Sequence, residues 1–328
     1  MSAPERLDGF MARANALYYG THDPFADFTT SPEISQVFGE IIGLWAAVTW
    51  EKLGRPDPVL LVEAGPGRGT LMADALRAVR QAAPAFAAAV RVRFIEVSAR
   101  LRMVQAGRVP DAVWHDDLES VPEGPFILVA NEFLDALPIR QFVRRGDGWT
   151  ERFVEDGRWV ELAADVSDVP ERAVAEGDVV EVNAAARGFV STAASRVVRA
   201  PGAALFLDYG PMRSAAGDSL QALAGKRAVD PLGPAGMADL TAHVDFADLA
   251  GVARAAGAAV QGPVTQGSFL TALGLMQRTE RLARGRGAAE AAALLGAARR
   301  LADPAAMGDL FKVMALASPA CGVLPGFG

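Results

Sequence analysis

The chain has 328 residues, a formal net charge of -7, 51% hydrophobic and 22% charged residues. This balance excludes a disordered chain and allows one large α/β domain with insertions. The acidic excess argues against a protein whose main task is to neutralise nucleic-acid phosphates, and the single cysteine, Cys321, excludes an internal disulfide or a multi-cysteine metal centre.

Residues 1–55 read as a helical segment with a polar break at Gly20 to Pro24. Ser31 before Pro32 has the pattern of an N-cap followed by Pro at the first helical position, and Ile34, Val37, Phe38, Ile41, Ile42 and Trp45 then recur at helical spacing. The remainder, 56–328, alternates apolar strands with helices. Val59 to Glu63, Val92 to Glu96, Phe126 to Ala130 and Ala203 to Asp208 are short apolar runs with acidic or polar residues at their ends, and Leu71 to Arg80 is a helix between the first two. Apolar strands alternating with helices predict a doubly wound, mainly parallel sheet covered on both faces, with ligand groups at the carboxyl ends of the strands.

Two stretches break the alternation. Between 139 and 182, strand-like pieces at Gln141 to Val143, Thr150 to Val154 and Trp159 to Leu162 are separated by glycine-containing turns, which predicts a small antiparallel insertion. Between 266 and 303, apolar helix followed by Ala-rich, charged helix predicts an added helical portion, before a last buried strand at Phe311 to Ala317. No run approaches the length of a membrane span and the N-terminus lacks a secretory pattern, so a soluble, cytoplasmic protein is expected.

The strongest chemical signal is the loop after the first strand, Gly65-Pro66-Gly67-Arg68-Gly69, preceded by Glu63 and followed by a helix. A Cβ at these glycines would block both the turn and the approach of a ligand. The spacing differs from the G-x-G-x-x-G of dinucleotide enzymes, and with the preceding acid it is the signature of class I methyltransferases, which bind S-adenosylmethionine; a dinucleotide site or a tight structural turn are the alternatives. Glu96, at the end of the next strand, stands where such folds place an acid for the ribose hydroxyls. Asp116 and Asp117 follow on a loop where one carboxylate can accept from an adenine amino group, or else serve as a turn residue or helix cap.

Asn131, Glu132 and Asp135 lie at or just beyond the strand at 126–130, near the expected position of the activated methyl group. Glu132 and Asp135 are the catalytic candidates, because paired carboxylates can hold a guanidinium, localise its charge and receive its proton; the other reading is a cap, a cofactor contact or loop support. His243, close to Asp245, is a candidate substrate-side group or an ordinary structural histidine. The histidines and the cysteine show no metal-ligand spacing, and no metal is expected.

The chain also resembles, over nearly its whole length, the MidA family of mitochondrial complex I assembly methyltransferases and their bacterial relatives. The matching stretches are Asp27 to Glu33, Phe38-Gly39-Glu40, Glu63 to Leu71, Ala130 to Pro138, Asp208-Tyr209-Gly210, Asp239 to Phe246, Thr265-Gln266-Gly267 and Met307 to Val313; Ala26 departs from the glycine usual there. The resemblance implies a class I methyltransferase core, a Rossmann-like doubly wound sheet, with S-adenosylmethionine as cofactor. It implies symmetric dimethylation of an arginine on the large quinone-proximal subunit of complex I or its bacterial counterpart. It also draws Asp27, Thr29, Thr30 and Pro32 towards the cofactor, with Gly65, Gly67 and Gly69 at the loop. A small-molecule methyltransferase and a non-catalytic assembly factor remain the alternatives.

Overall fold

The computed structural model describes residues 3–22, 29–165, 167, 169 and 174–328. The elements are β1 (Glu5–Arg6), α1 (Leu7–Thr21), α2 (Ser31–Ile34), α3 (Gln36–Lys52), β2 (Val59–Ala64), α4 (Thr70–Ala82), α5 (Pro84–Ala89), β3 (Val90–Ile95), α6 (Ala99–Arg108), β4 (Val113–His115), β5 (Phe126–Asn131), β6 (Arg140–Arg145), β7 (Gly148–Glu155) and β8 (Arg158–Ala163). They continue with β9 (Val179–Val182), α7 (Ala184–Arg199), β10 (Gly202–Tyr209), β11 (Gln221–Ala224), β12 (Arg227–Val229), β13 (Asp239–Thr241), α8 (Phe246–Ala255), β14 (Ala259–Thr265), α9 (Gln266–Ala272), α10 (Leu275–Ala283), α11 (Ala288–Ala302) and β15 (Phe311–Ala317).

A seven-stranded sheet in the order β14-β15-β10-β5-β2-β3-β4 forms the centre. The pairings from β10 through β4 are parallel, whereas β15 runs antiparallel to both β10 and β14. All residues of β2 and β5 are buried, because helices cover both faces. One face packs Phe38, Trp45, Leu71 and Leu270 from α3, α4 and α9 against Leu61, Ile127 and Leu205 of the sheet. The other packs Val190 and Val197 of α7 and Leu249 of α8 against Val62, Leu128 and Phe206. At such positions, truncating a leucine to alanine costs about 2–5 kcal/mol.

The structure has the doubly wound sheet, an antiparallel sheet of β6, β7, β8 and β9 with β1 added at the edge, and the helices α9 to α11. The first 55 residues divide between two places. Helix α1 packs Leu7, Phe10 and Met11 against Ile139, Val154 and Leu240, while α3 lies on the central sheet. The helix expected to run on from Ser31 is broken. Thr30 takes the capping position, Ser31 is the first residue of a single turn, and the Ser35 side chain accepts from Val37 N at 3.2 Å to begin α3 afresh.

A further sheet, β12-β11-β13, was not foreseen; it lies between β10 and α8 in sequence and delivers Asp239 and Thr241 to the same end of the molecule as the other strand ends. Helices α3 and α4 approach closely because Gly39 and Gly43 face α4. A Cβ on Gly43 would come within 2.7 Å of Ala75 Cα. No helix among the described residues is long and apolar enough to cross a membrane.

Candidate cofactor and acceptor site

The site is built at the carboxyl ends of β2, β3, β5 and β10. Gly65, Gly67 and Gly69 have φ of +64°, +54° and +76°, all in the left-handed region that a side chain disfavours. A Cβ on Gly65 would meet the Phe133 ring at 2.8 Å, so the absence of a side chain lets that ring pack against the loop. Helix α4 starts directly after this loop, its first amides lacking partners within the helix; that of Met72 bonds to Glu63.

Glu63 is buried, one oxygen has no partner among the described residues, and burial pushes its carboxyl well above the usual range despite a bond from the Met72 backbone. Glu96 is also buried, which raises its carboxyl, and it is held by donors: Ser98 N at 2.7 Å on Oε1 and Gln105 Nε2 at 3.1 Å on Oε2. The same Gln105 amide donates to Gly67 O at 2.8 Å, and its oxygen accepts from Trp114 Nε1 at 2.7 Å. Gln105, fully buried on α6, therefore ties the glycine loop to Glu96. The sequence reading missed it, since a single glutamine on a short helix has no motif.

Asp116 pairs with Arg102 at 2.5 Å and is mostly exposed, whereas Asp117 accepts from Ser120 N at 2.8 Å and caps that turn. Both are already employed locally. Val97, directly after Glu96, is 74% exposed and offers an apolar surface beside that acid.

At the end of β5, Asn131 is buried with Oδ1 unpartnered, and its amide donates to Glu132 Oε1 at 3.1 Å. The same Glu132 oxygen accepts from Ser31 N at 2.8 Å. Asp208, on β10, accepts from the backbone N–H groups of Phe133, Leu134 and Asp135 at 3.2, 2.9 and 3.3 Å through one oxygen and from Tyr209 N at 2.9 Å through the other. It thus shapes the Glu132 to Asp135 turn; burial pushes its carboxyl up to about 7. Asp135 is pushed well above the usual range by burial and by the charges of Asp208, Asp239 and Glu132, and its Oδ1 has no hydrogen-bond partner among the described residues. Tyr19 donates to Asp239 at 2.7 Å, and burial raises its phenol well above the ordinary value.

His243 is exposed and stands edge-on to the Tyr209 ring at 5.5 Å. It lines a cleft of about 420 Å³ beyond β10, together with Glu181, Asp245, Asp248, Asp309 and Lys312. Asp245 caps α8 by accepting from Asp248 N at 3.0 Å, so its role towards that helix is structural. Thr29, Thr30 and Pro32 lie on or beside the turn that reaches Glu132, and Asp27 lies outside the described residues.

Several of the other shared motifs proved to be packing devices. Gly210 sits against Val244, where a Cβ would come within 2.2 Å of the carbonyl oxygen; Gly267 and Gly308 both crowd Ala302 O. Glu40 of α3, buried, accepts from Arg77 at 2.9 Å and from Arg278 at 2.7 Å and joins three helices.

These residues fit S-adenosylmethionine. The glycines carry the loop through positive φ, Glu96 is preset by two donors, and oxygens of Glu63 and Asn131 have no donor among the described residues. The fold and site define a class I S-adenosylmethionine-dependent methyltransferase.

The comparisons agree and narrow the class. A family model described as putative S-adenosyl-L-methionine-dependent methyltransferase matches residues 41–264, and the chain belongs to that family. It is 33% identical, over 92% of its length and 80% of the relative's, to the protein arginine methyltransferase NDUFAF7, mitochondrial, of Danio rerio. The Mus musculus protein of the same name is 36% identical over 88% of this chain and 74% of its own. Among solved structures, a COG1565 superfamily member from Burkholderia thailandensis bound to S-adenosyl-homocysteine matches with a TM-score of 0.78 and 25% identity, covering 98% of this chain and 90% of that one. A native structure of a COG1565 superfamily protein from the same organism gives 0.82 and 27%, over 99% and 90%.

Proposed function

We propose that this methyltransferase acts in the cytoplasm on an arginine of a protein, the large quinone-proximal subunit of respiratory complex I or its bacterial counterpart, and carries it to the symmetric dimethyl form. The relatives' name as protein arginine methyltransferases supports an arginine acceptor. The observation in the site that carries the reading is Asp135: a buried carboxylate oxygen without a partner, set among Asp208, Asp239 and Glu132. Such a cluster is short of positive charge, and a guanidinium supplies charge and donors together.

Bound S-adenosylmethionine supplies an activated methyl group, so the protein has mainly to align the acceptor. Glu63, Gly65, Gly67, Gly69, Glu96 and Asn131 would hold the cofactor, with Asp116 or Asp117 towards its adenine. Asp135 would accept hydrogen bonds from the guanidinium, localise its charge, and take the proton that the methylated nitrogen releases; a carboxyl raised by its surroundings is a better proton acceptor than an ordinary one. The cleft beside His243, with its carboxylates, would receive the basic polypeptide around the target.

The test is incubation with labelled cofactor and the purified subunit, with the modified residue mapped by mass spectrometry. Label on an arginine, reduced at least a hundredfold by Asp135→Asn, is the expected result. Label on small molecules alone, or none on the subunit while S-adenosylhomocysteine still binds, overturns the arginine reading.

A further inference from the structure

The two carboxylates of the Asn131 to Pro138 segment are not equivalent. Asp135 has an unpartnered oxygen, whereas Glu132 Oε1 is occupied by two donors, Ser31 N at 2.8 Å and Asn131 Nδ2 at 3.1 Å. Ser31 opens α2, and the first amides of any helix lack partners within it. A carboxylate brought from another element satisfies one of them and complements the positive end of the turn.

The same turn is gripped from the opposite side. Glu33 Oε1 accepts from Thr70 Oγ1 at 2.5 Å, and its other oxygen stands 3.9 Å from the Arg68 guanidinium. Thr70 is the first residue of α4 and Arg68 belongs to the glycine loop. One short turn thus links the end of β5, next to Asn131, to the start of α4, next to the glycine loop. Glu132 itself has φ of +51°, infrequent for a residue with a Cβ, and its N–H donates to Leu207 O at 2.8 Å. Such a backbone persists where the surroundings over-determine it.

We infer that Glu132 is a positioning residue: its carboxylate fastens the Ser31–Ile34 turn across the cofactor site, and Asp135 alone faces the acceptor. Cofactor affinity and the order of this turn are then coupled, since both depend on the same anchors. The inference concerns cofactor binding and stands apart from the identity of the acceptor.

The experiment compares the full chain with Glu132→Gln, Glu33→Gln and Asp135→Asn, measuring S-adenosylhomocysteine affinity by calorimetry and amide exchange across 29–34. Glu132→Gln is expected to weaken binding about tenfold or more and to speed exchange at Ser31 to Ile34, with the unliganded thermal transition little changed. Glu33→Gln should reproduce both effects from the other anchor, and Asp135→Asn should bind within about twofold of the parent. Unchanged affinity and exchange in Glu132→Gln and Glu33→Gln overturn the inference; so does an equal loss of affinity in Asp135→Asn.

Discussion

Gln105 and Glu96 meet through a 3.1 Å hydrogen bond inside the protein, and the same glutamine amide reaches Gly67 O at 2.8 Å. The distance between the glycine loop and the acid after β3 is therefore set by one fully buried side chain before any cofactor arrives. Preorganisation of this kind reduces the ordering that binding requires.

Gln105→Leu keeps the bulk and removes these bonds. It removes the donor to buried Glu96 and the partners of the part-buried Gly67 O and Trp114 Nε1, where an unsatisfied group costs up to about 1–3 kcal/mol when fully buried and less when part-exposed. Urea unfolding should show a loss of about 2–4 kcal/mol, and S-adenosylhomocysteine should bind at least tenfold more weakly. A variant as stable and as tight-binding as the parent would show that Gln105 is merely a space filler.

Gly43→Ala tests the contact between α3 and α4. The added methyl would lie 2.7 Å from Ala75 Cα, a backbone atom that cannot rotate away, so the helices must separate. We expect a loss of about 1–3 kcal/mol from overpacking, read from the urea midpoint. Because α4 begins at the glycine loop, cofactor affinity should fall with it. Gly188→Ala, on α7 with nothing within 4 Å of the new methyl, is the control, and is expected to stabilise by about 0.5–1 kcal/mol.

Asp208 gives a pH dependence of definite sign. In the folded, unliganded protein it holds its proton up to about pH 7, whereas an unfolded aspartate releases it near about 4. Between these values the folded state binds more protons, so stability should fall as pH rises, by at most about 1.4 kcal/mol per unit from this group, and level off above pH 7. Asp135 is shifted in the same direction and adds to the trend. Unfolding of the parent and of Asp208→Asn between pH 4.5 and 8 checks this: the slope should be shallower in the variant, and a parent whose stability rises over that range contradicts it.

Much of the architecture was legible because it rests on local pattern. The continuous apolar runs of β2, β5 and β10 could be buried only between two layers of helix, and the glycines at 65, 67 and 69 could serve only a backbone that turns through positive φ beside something bulky. The sheet β12-β11-β13 was not legible, since its strands of three or four residues have too little alternation to signal. The break at Ser35 escaped for a related reason: the apolar spacing runs across it, while the extended backbone of Ser35 and its bond from Val37 N separate α2 from α3.

By itself the sequence determined the class of fold, the glycine loop and the acids at the strand ends, because spacing along a chain dictates which residues a parallel sheet brings to one edge. What each acid does there was decided by tertiary structure alone. Glu132 and Asp135, three positions apart and chemically alike, differ because one meets the N–H of Ser31, about a hundred residues away, and the other meets Asp208 and Asp239. A carboxylate's proton affinity and its free lone pairs depend on neighbours gathered through space, and no local pattern in the chain records them.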